Sequence, residues 1–413
     1  MSAFLTMLNE ILRSGSYLNG MRSQRRRLRG DVSARIHSLE DRTLLAASLV
    51  KDINAGSANP GSSPSNVVDL GGTLLFSAAV DGYGGELWKS DGTAAGTVLV
   101  KDIWGGSLSS GPDKLTNVNG TLYFRANDGS NGTELWKSDG TAAGTVLVKD
   151  VWSGAPSNGS GPKYLTNVNG TLYFVATDGI KGYELWKSDG TAAGTVLVKD
   201  IRSGAPSSAP KYLTNVNGTL YFRASDGQTG YELWKSDGTQ SGTVLVKDIR
   251  SGSIDSTPKN LCSANTTLYF TANDGTNGYE LWKSDGTANG TVLVKDIRAG
   301  IANSLPKYLT NSNGTLYFSA NDGTNGYELW KSDGTAAGTV MVLDIRPGVS
   351  TSNIKYLTDY NGTIFFRANN GVTGYELWKT DGTSTGTVLV KNLSPSTDSN
   401  PNSFAAVFLF SCF

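Results

Sequence analysis

The chain has 413 residues, and 36 Lys+Arg balance 36 Asp+Glu, so its net charge is zero. Balanced charge leaves no long-range field of one sign, which argues against nucleic acid as a partner. One His, two Cys and no run of ~18–20 apolar residues exclude a Cys/His zinc site, a disulfide-stapled fold, a histidine triad in the body of the chain and a standard membrane helix.

Residues 1–47 read as a basic arm, expected to be mostly disordered. Eight Arg face four acids there, so the arm carries +4 and the remainder −4. A few charges ahead of a folded body point to a targeting segment rather than a nucleic-acid or lipid anchor. It is not a standard secretion signal, because Arg25-Arg26-Arg27 is followed by no apolar core of sufficient length. The single His, His37, lies in this arm.

Residues 48–395 are a repeat array. The octamer Glu-Leu-Trp-Lys-Ser/Thr-Asp-Gly-Thr starts at Glu86, Glu134, Glu184, Glu232, Glu280, Glu328 and Glu376, at steps of 48 residues apart from one of 50. Each unit predicts four strands. In the third they are Lys163–Val168, Thr171–Ala176, Tyr183–Lys187 and Thr195–Ile201. Asn169-Gly170 joins the first two, the strongest short hairpin signal. The runs are rich in β-branched and aromatic residues and show no helical period. Four short antiparallel strands at a period of ~40–50 residues predict a propeller blade, and seven copies predict a seven-bladed β-propeller. An open β-solenoid is the alternative.

Bulky residues on both parities, such as Leu185 beside Trp186, fit blades packed on both faces. The longest connection, from Arg202 to Pro210, should run from one blade's outer edge to the next blade's inner strand. The outer-strand sequence occurs eight times, because Leu49–Ile53 precedes the first unit. Either that segment or Val388–Leu393 closes the last blade. The tail, residues 396–413, ends in an apolar run from Phe404 to Phe413. It is too short to span a bilayer and suits a docked strand.

The octamers resemble those of the ELWxxDGT-repeat family of bacterial proteins, over about residues 48–395. Leu39-Glu40-Asp41-Arg42-Thr43-Leu44-Leu45-Ala46, behind an Arg-rich stretch, is similar to the export segments of planctomycete surface proteins. The resemblance implies a secreted or cell-surface protein, generally without an assigned activity. The Ser-Asp-Gly-Thr-x-x-Gly-Thr turn resembles the Asp-box hairpins of sialidase-like propellers, which implies a structural Asp.

Several recurring residues are candidates for chemistry. Seven equivalent aspartates, from Asp91 to Asp381, cannot all be one active site, and turn chemistry explains them. Asp128, Asp178, Asp226, Asp274 and Asp322 each precede a Glu by six residues in a glycine-bent loop. They are candidate Ca²⁺ ligands, and Ca²⁺ is the one cofactor the sequence suggests, although a lone Asp rarely gives the ~6–8 oxygens that Ca²⁺ takes, and a turn role competes. Asn-Gly-Thr at Asn119, Asn169, Asn217, Asn313 and Asn361 matches a glycosylation sequon, but the hairpin explains it. The seven octamer tryptophans suit blade-to-blade packing better than sugar stacking.

Trp104, Trp152, Arg202, Arg250, Arg298 and Arg346 occupy one position after the outer strand. The two connections that vary between copies should leave from one face, opposite the uniform Asn-Gly-Thr and Ser-Asp-Gly-Thr turns. An Arg/Trp rim there is a candidate binding site for acidic glycans or acidic protein surfaces. The plain alternative pairs each Arg with the Asp of its own strand, such as Asp200 or Asp248. The expectation is a monomeric, non-catalytic recognition or adhesion module binding protein or polysaccharide, without nucleic acid. The alternative is a carbohydrate-active hydrolase or lyase with acids at the central channel.

Overall fold

The computed structural model describes residues 49–54, 61–154, 157–392 and 399–401. The predicted arm and most of the predicted tail lie outside the described residues. The chain divides into two compact units, and every strand belongs to the unit Lys51–Ala406.

Each repeat supplies one four-stranded antiparallel sheet with its strands in chain order, and there are seven such sheets among the described residues. In sheet 4 they are Lys211–Val216, Thr219–Ser225, Tyr231–Ser236 and Val244–Lys247. The first turn closes at Asn217 and Gly218, both at positive φ (46° and 85°), as a two-residue primed turn requires. The fourth strand is shorter than its sequence suggests. In sheet 3 it ends at Lys199, because the Ile201 amide donates to the Glu184 side chain instead of continuing the ladder.

The seven first strands are Ser65–Leu70, Asp113–Val118, Lys163–Val168, Lys211–Val216, Lys259–Ala264, Lys307–Ser312 and Lys355–Tyr360. Those of successive sheets lie side by side, so they are the inner strands. The fold is all-β, with the blade arrangement of a seven-bladed β-propeller.

Successive sheets meet through interlocking faces. At the junction of sheets 3 and 4, Val168, Tyr173, Leu185, Val198 and Ile201 meet Leu220, Phe222, Ala224 and Trp234. Leu and Trp of one octamer are adjacent, so they point to opposite faces of their strand. Leu185 therefore faces the following sheet while Trp186 faces the preceding one. Burying Trp234 to 5% exposure makes the octamer tryptophan a wedge between sheets. Outside this apolar layer, Lys199 Nζ donates to the Thr243 carbonyl of the next sheet at 2.7 Å.

Sheets 7 and 1 meet no such interface among the described residues. Val388–Lys391 is the fourth strand of sheet 7, which decides the ambiguity of the eighth copy. Leu49–Ile53 forms no strand, and residues 51–54 cover the outward face of sheet 1. Ile53 packs on Phe76, Ala78 and Trp88, Lys51 Nζ donates to the Thr97 carbonyl at 2.8 Å, and Asn54 Oδ1 accepts the Asp81 amide. These are the tasks that the end of a preceding sheet performs elsewhere.

Candidate functional site: the variable-loop end

The two variable connections share one end of the sheets. The Tyr183 amide, just after the loop between strands two and three, donates to Ser207 Oγ in the connection to the next sheet. The same contact recurs from Tyr231 to Asp255 and from Tyr279 to Asn303. The uniform turns meet at the other end, where Tyr123 of sheet 2 reaches Gly190 of sheet 3.

The base of each long connection is clipped by the octamer Glu. Glu184 is fully buried. Its Oε2 accepts the Ile201 amide and the Ser208 hydroxyl, and its Oε1 accepts the Ser208 amide. One carboxylate thus fastens both ends of the loop that spans residues 202–207. Burial pushes its pKa up to about 7 against those hydrogen bonds, with a smaller push from Asp200. Glu232, Glu280 and Glu328 are likewise pushed up to about 7, chiefly by burial. The sequence reading missed this clip. Its signal is the Ser that recurs 24 residues after each of Glu184, Glu232, Glu280 and Glu328, a distance that no local motif spans.

The rim residues do not pair with their own strands. Asp200 Oδ2 accepts the Gly204 amide. Its Oδ1 is buried with no hydrogen-bond partner among the described residues, as is that of Asp248. The arginines instead reach across the junction. A β-carbon on Gly227 would stand 2.9 Å from Arg202 Nε. The same holds for Arg250 on Gly275, Arg298 on Gly323 and Arg346 on Gly371, at 3.0, 3.1 and 3.1 Å. Trp104 and Trp152 lie on Gly129 and Gly179 in the same way. All six residues are half-buried, each laid on the loop of the next sheet. The sole ion pair among the described residues is Arg125 with Asp113, so none of the four rim guanidinium groups forms an ion pair there.

The loop aspartates are turned onto their own backbone. Asp226 Oδ1 accepts the amides of Gln228 and Thr229 at 2.8 and 2.9 Å. Burial raises its pKa, but these donors outweigh it and hold the carboxylate below the ordinary range. Asp128, Asp274 and Asp322 follow the same pattern with an added Asn side chain, and Asp178 accepts the amides of Ile180 and Lys181. No three Asp, Glu, His or Cys residues come together among the described residues. The octamer aspartates are turn residues too. Asp189 Oδ1 accepts the amide and hydroxyl of Thr191, which lower its pKa.

No protein-family model matches the chain, and no curated protein matches it. Among solved structures it is similar to a prolyl endopeptidase at 12% identity and a TM-score of 0.45, covering 79% of this chain and 49% of that one. It is also similar to puromycin hydrolase at 12% identity and a TM-score of 0.40, covering 80% and 53%. A Mycobacterium tuberculosis puromycin-hydrolyzing peptidase gives 11% identity, a TM-score of 0.40 and coverage of 83% and 55%. The chain spans about half the length of these proteins, and the likeness concerns the fold alone.

Proposed function

We propose that the chain is an exported or cell-surface recognition module that binds an acidic polysaccharide or an acidic protein surface at the variable-loop end. The observation that carries this reading is the rim of Arg202, Arg250, Arg298 and Arg346. Four guanidinium groups are held on successive sheets, each braced on a neighbour's backbone and none neutralised by a described carboxylate. Arginine in that state offers a rigid fork to a ligand carboxylate or sulfate. Assignment to the ELWxxDGT-repeat family belongs with this proposal and supports the exported location.

A carbohydrate-active enzyme would need a pair of accessible carboxyls. The carboxyls pushed furthest from their ordinary values are Glu184, Glu232, Glu280 and Glu328, and each is fully buried and bonded to loop amides. The binding reading is tested on a glycan array. The wild type is expected to retain acidic glycans, and the variant with all four arginines changed to Ala is expected to lose them. Equal retention by both would remove the rim from the function.

A further inference from the structure

A second set of cations and aromatics lies on the inner strands at the same end. The first strands open on a repeated doublet: Lys163-Tyr164, Lys211-Tyr212, Lys307-Tyr308 and Lys355-Tyr356, with Lys259-Asn260 in sheet 5. The second member is always in the left-handed region: Tyr164 at 56°, Tyr212 at 59°, Asn260 at 55°, Tyr308 at 57° and Tyr356 at 59°. That conformation is uncommon for Asn and a true outlier for Tyr. It comes from a one-residue bulge, because Lys211 opposes Arg223 while Thr214 opposes Tyr221. The bulge leaves Tyr164, Tyr212, Tyr308 and Tyr356 between 37% and 41% exposed. Large aromatics kept strained and exposed at equivalent positions call for a role outside the core.

Apart from Arg125, which pairs with Asp113, the cations beside them have no ion-pair partner among the described residues. Arg223 lies 5.2 Å from the Tyr212 ring and 5.1 Å from Tyr231, and its Nε is buried without a hydrogen-bond partner. Lys163 and Lys259 lie 4.2 and 4.0 Å from the rings of Tyr183 and Tyr279. The Lys259 amine is held below its ordinary pKa by burial first, then by the charges of Lys307 and Arg223. Cations of three successive sheets therefore crowd together and repel. Between sheets 2 and 3 the inner strands border a cavity of about 410 Å³, lined by Lys114, Lys163 and Tyr164 among others, with Arg125 there paired to Asp113.

We infer that the inner strands form a binding site for an acidic polysaccharide, with Tyr164, Tyr212, Tyr308 and Tyr356 stacking on sugar rings and Lys163, Lys211, Lys259, Lys307 and Lys355 receiving their carboxylates. An anion relieves the mutual repulsion of these cations, and an exposed ring offers a flat apolar face to a pyranose. The chain's zero net charge favours a carboxylated sugar over a nucleic acid, whose binding draws on a broad excess of positive charge. This site deepens the proposed function but does not depend on the rim.

The protein itself supplies a clean test, because Asn260 already holds the bulge conformation in sheet 5. A variant with Tyr164→Asn, Tyr212→Asn, Tyr308→Asn and Tyr356→Asn should keep the wild-type melting temperature. Binding is measured by calorimetry with polygalacturonate, dextran and single-stranded DNA as probes. The expected result is that the wild type binds polygalacturonate, at least tenfold more tightly than either other probe. The Tyr→Asn variant should bind it at least tenfold more weakly, and so should a variant with the five lysines changed to Gln. Wild-type affinity in both variants, no binding by the wild type, or equal affinity for dextran or DNA would overturn the inference. Loss of binding in the rim variant alone, with the inner-strand variants unaffected, would assign the ligand to the rim and overturn it as well.

Discussion

Sheets 4 and 7 carry almost the same sequence and present different faces. In sheet 4, Val216, Tyr221, Leu233 and Val246 point toward sheet 5 and are 5%, 5%, 0% and 6% exposed. In sheet 7 the equivalent residues are Tyr360, Phe365, Leu377 and Val390. Tyr360 and Val390 are 46% and 43% exposed, and Phe365 and Leu377 are half-buried. The other end differs again, because sheet 1 keeps Trp88 at 7% exposure under residues 51–54. Burial in this fold is thus a property of junctions, and the octamer by itself does not confer it.

Removing the wedge should have the largest effect. Trp234→Ala takes a buried indole from between two complete sheets and should cost ~3–5 kcal/mol, the range for buried aromatic truncations. Trp88→Ala removes the same side chain from a face covered by a four-residue segment and should cost clearly less. Thermal melts of the two variants decide it. Equal losses would mean that the wedge works within its own sheet rather than across the junction. A wild-type melt for Trp234→Ala would refute the wedge itself.

The opposite faces give the next largest contrast. Leu233→Ala should cost ~2–5 kcal/mol, as fully buried leucines do. Leu377→Ala, on a face of sheet 7 that no described sheet covers, should cost less, ~1–2 kcal/mol, since the side chain is only half-buried. A loss at Leu377 as large as at Leu233 would show that this face is covered in solution.

These contrasts also mark what the sequence discloses. The period, the four strands and the Asn-Gly turns are local patterns of spacing and φ, and they are legible at once. The octamer Trp reads as packing because its parity opposes that of Leu. What stays hidden depends on partners far along the chain. Leu377 sits in an octamer whose one change, Thr380 for Ser, leaves Glu-Leu-Trp intact, so nothing near it announces that no described sheet packs on its face. Glu184 looks like a charged strand residue until Ile201 and Ser208, 17 and 24 positions on, close around it. The Lys-Tyr doublets read as ordinary strand starts, because a positive φ at Tyr212 leaves no trace in residue type. The rim positions are legible from their place after the outer strand, yet their contact, the glycine of the next sheet, lies about half a repeat away.

The Glu clips carry the comparison from packing into charge. Glu184, Glu232, Glu280 and Glu328 are pushed up to about 7 by burial, from an ordinary 4.5. Folding therefore favours their protonated form. Their contribution is complete below pH ~4.5 and is lost as pH rises through about 7, at most about 3 kcal/mol for each. The melting temperature should thus fall between pH 5 and pH 8. A variant with all four changed to Gln should start lower, since an amide cannot accept all three loop donors, and should vary less over that range. An equally steep fall would show that other groups set the pH dependence.

The smallest effect tests whether residues 51–54 stand in for the end of a preceding sheet. Lys199 and Lys51 each place Nζ on the equivalent Thr carbonyl of the following sheet, at 2.7 and 2.8 Å. Lys199→Met and Lys51→Met keep the apolar stem and remove the donor, so each should cost ~0.5–1.5 kcal/mol. Matching losses in denaturant midpoints would mean that the segment is held to sheet 1 as firmly as a paired fourth strand holds its neighbour, although it has no ladder of its own. No loss at Lys51 beside a normal loss at Lys199 would mean that Ile53 alone covers Trp88. The wedge at that end would then rest on a single apolar contact, and Ile53→Ala would become the substitution that exposes it.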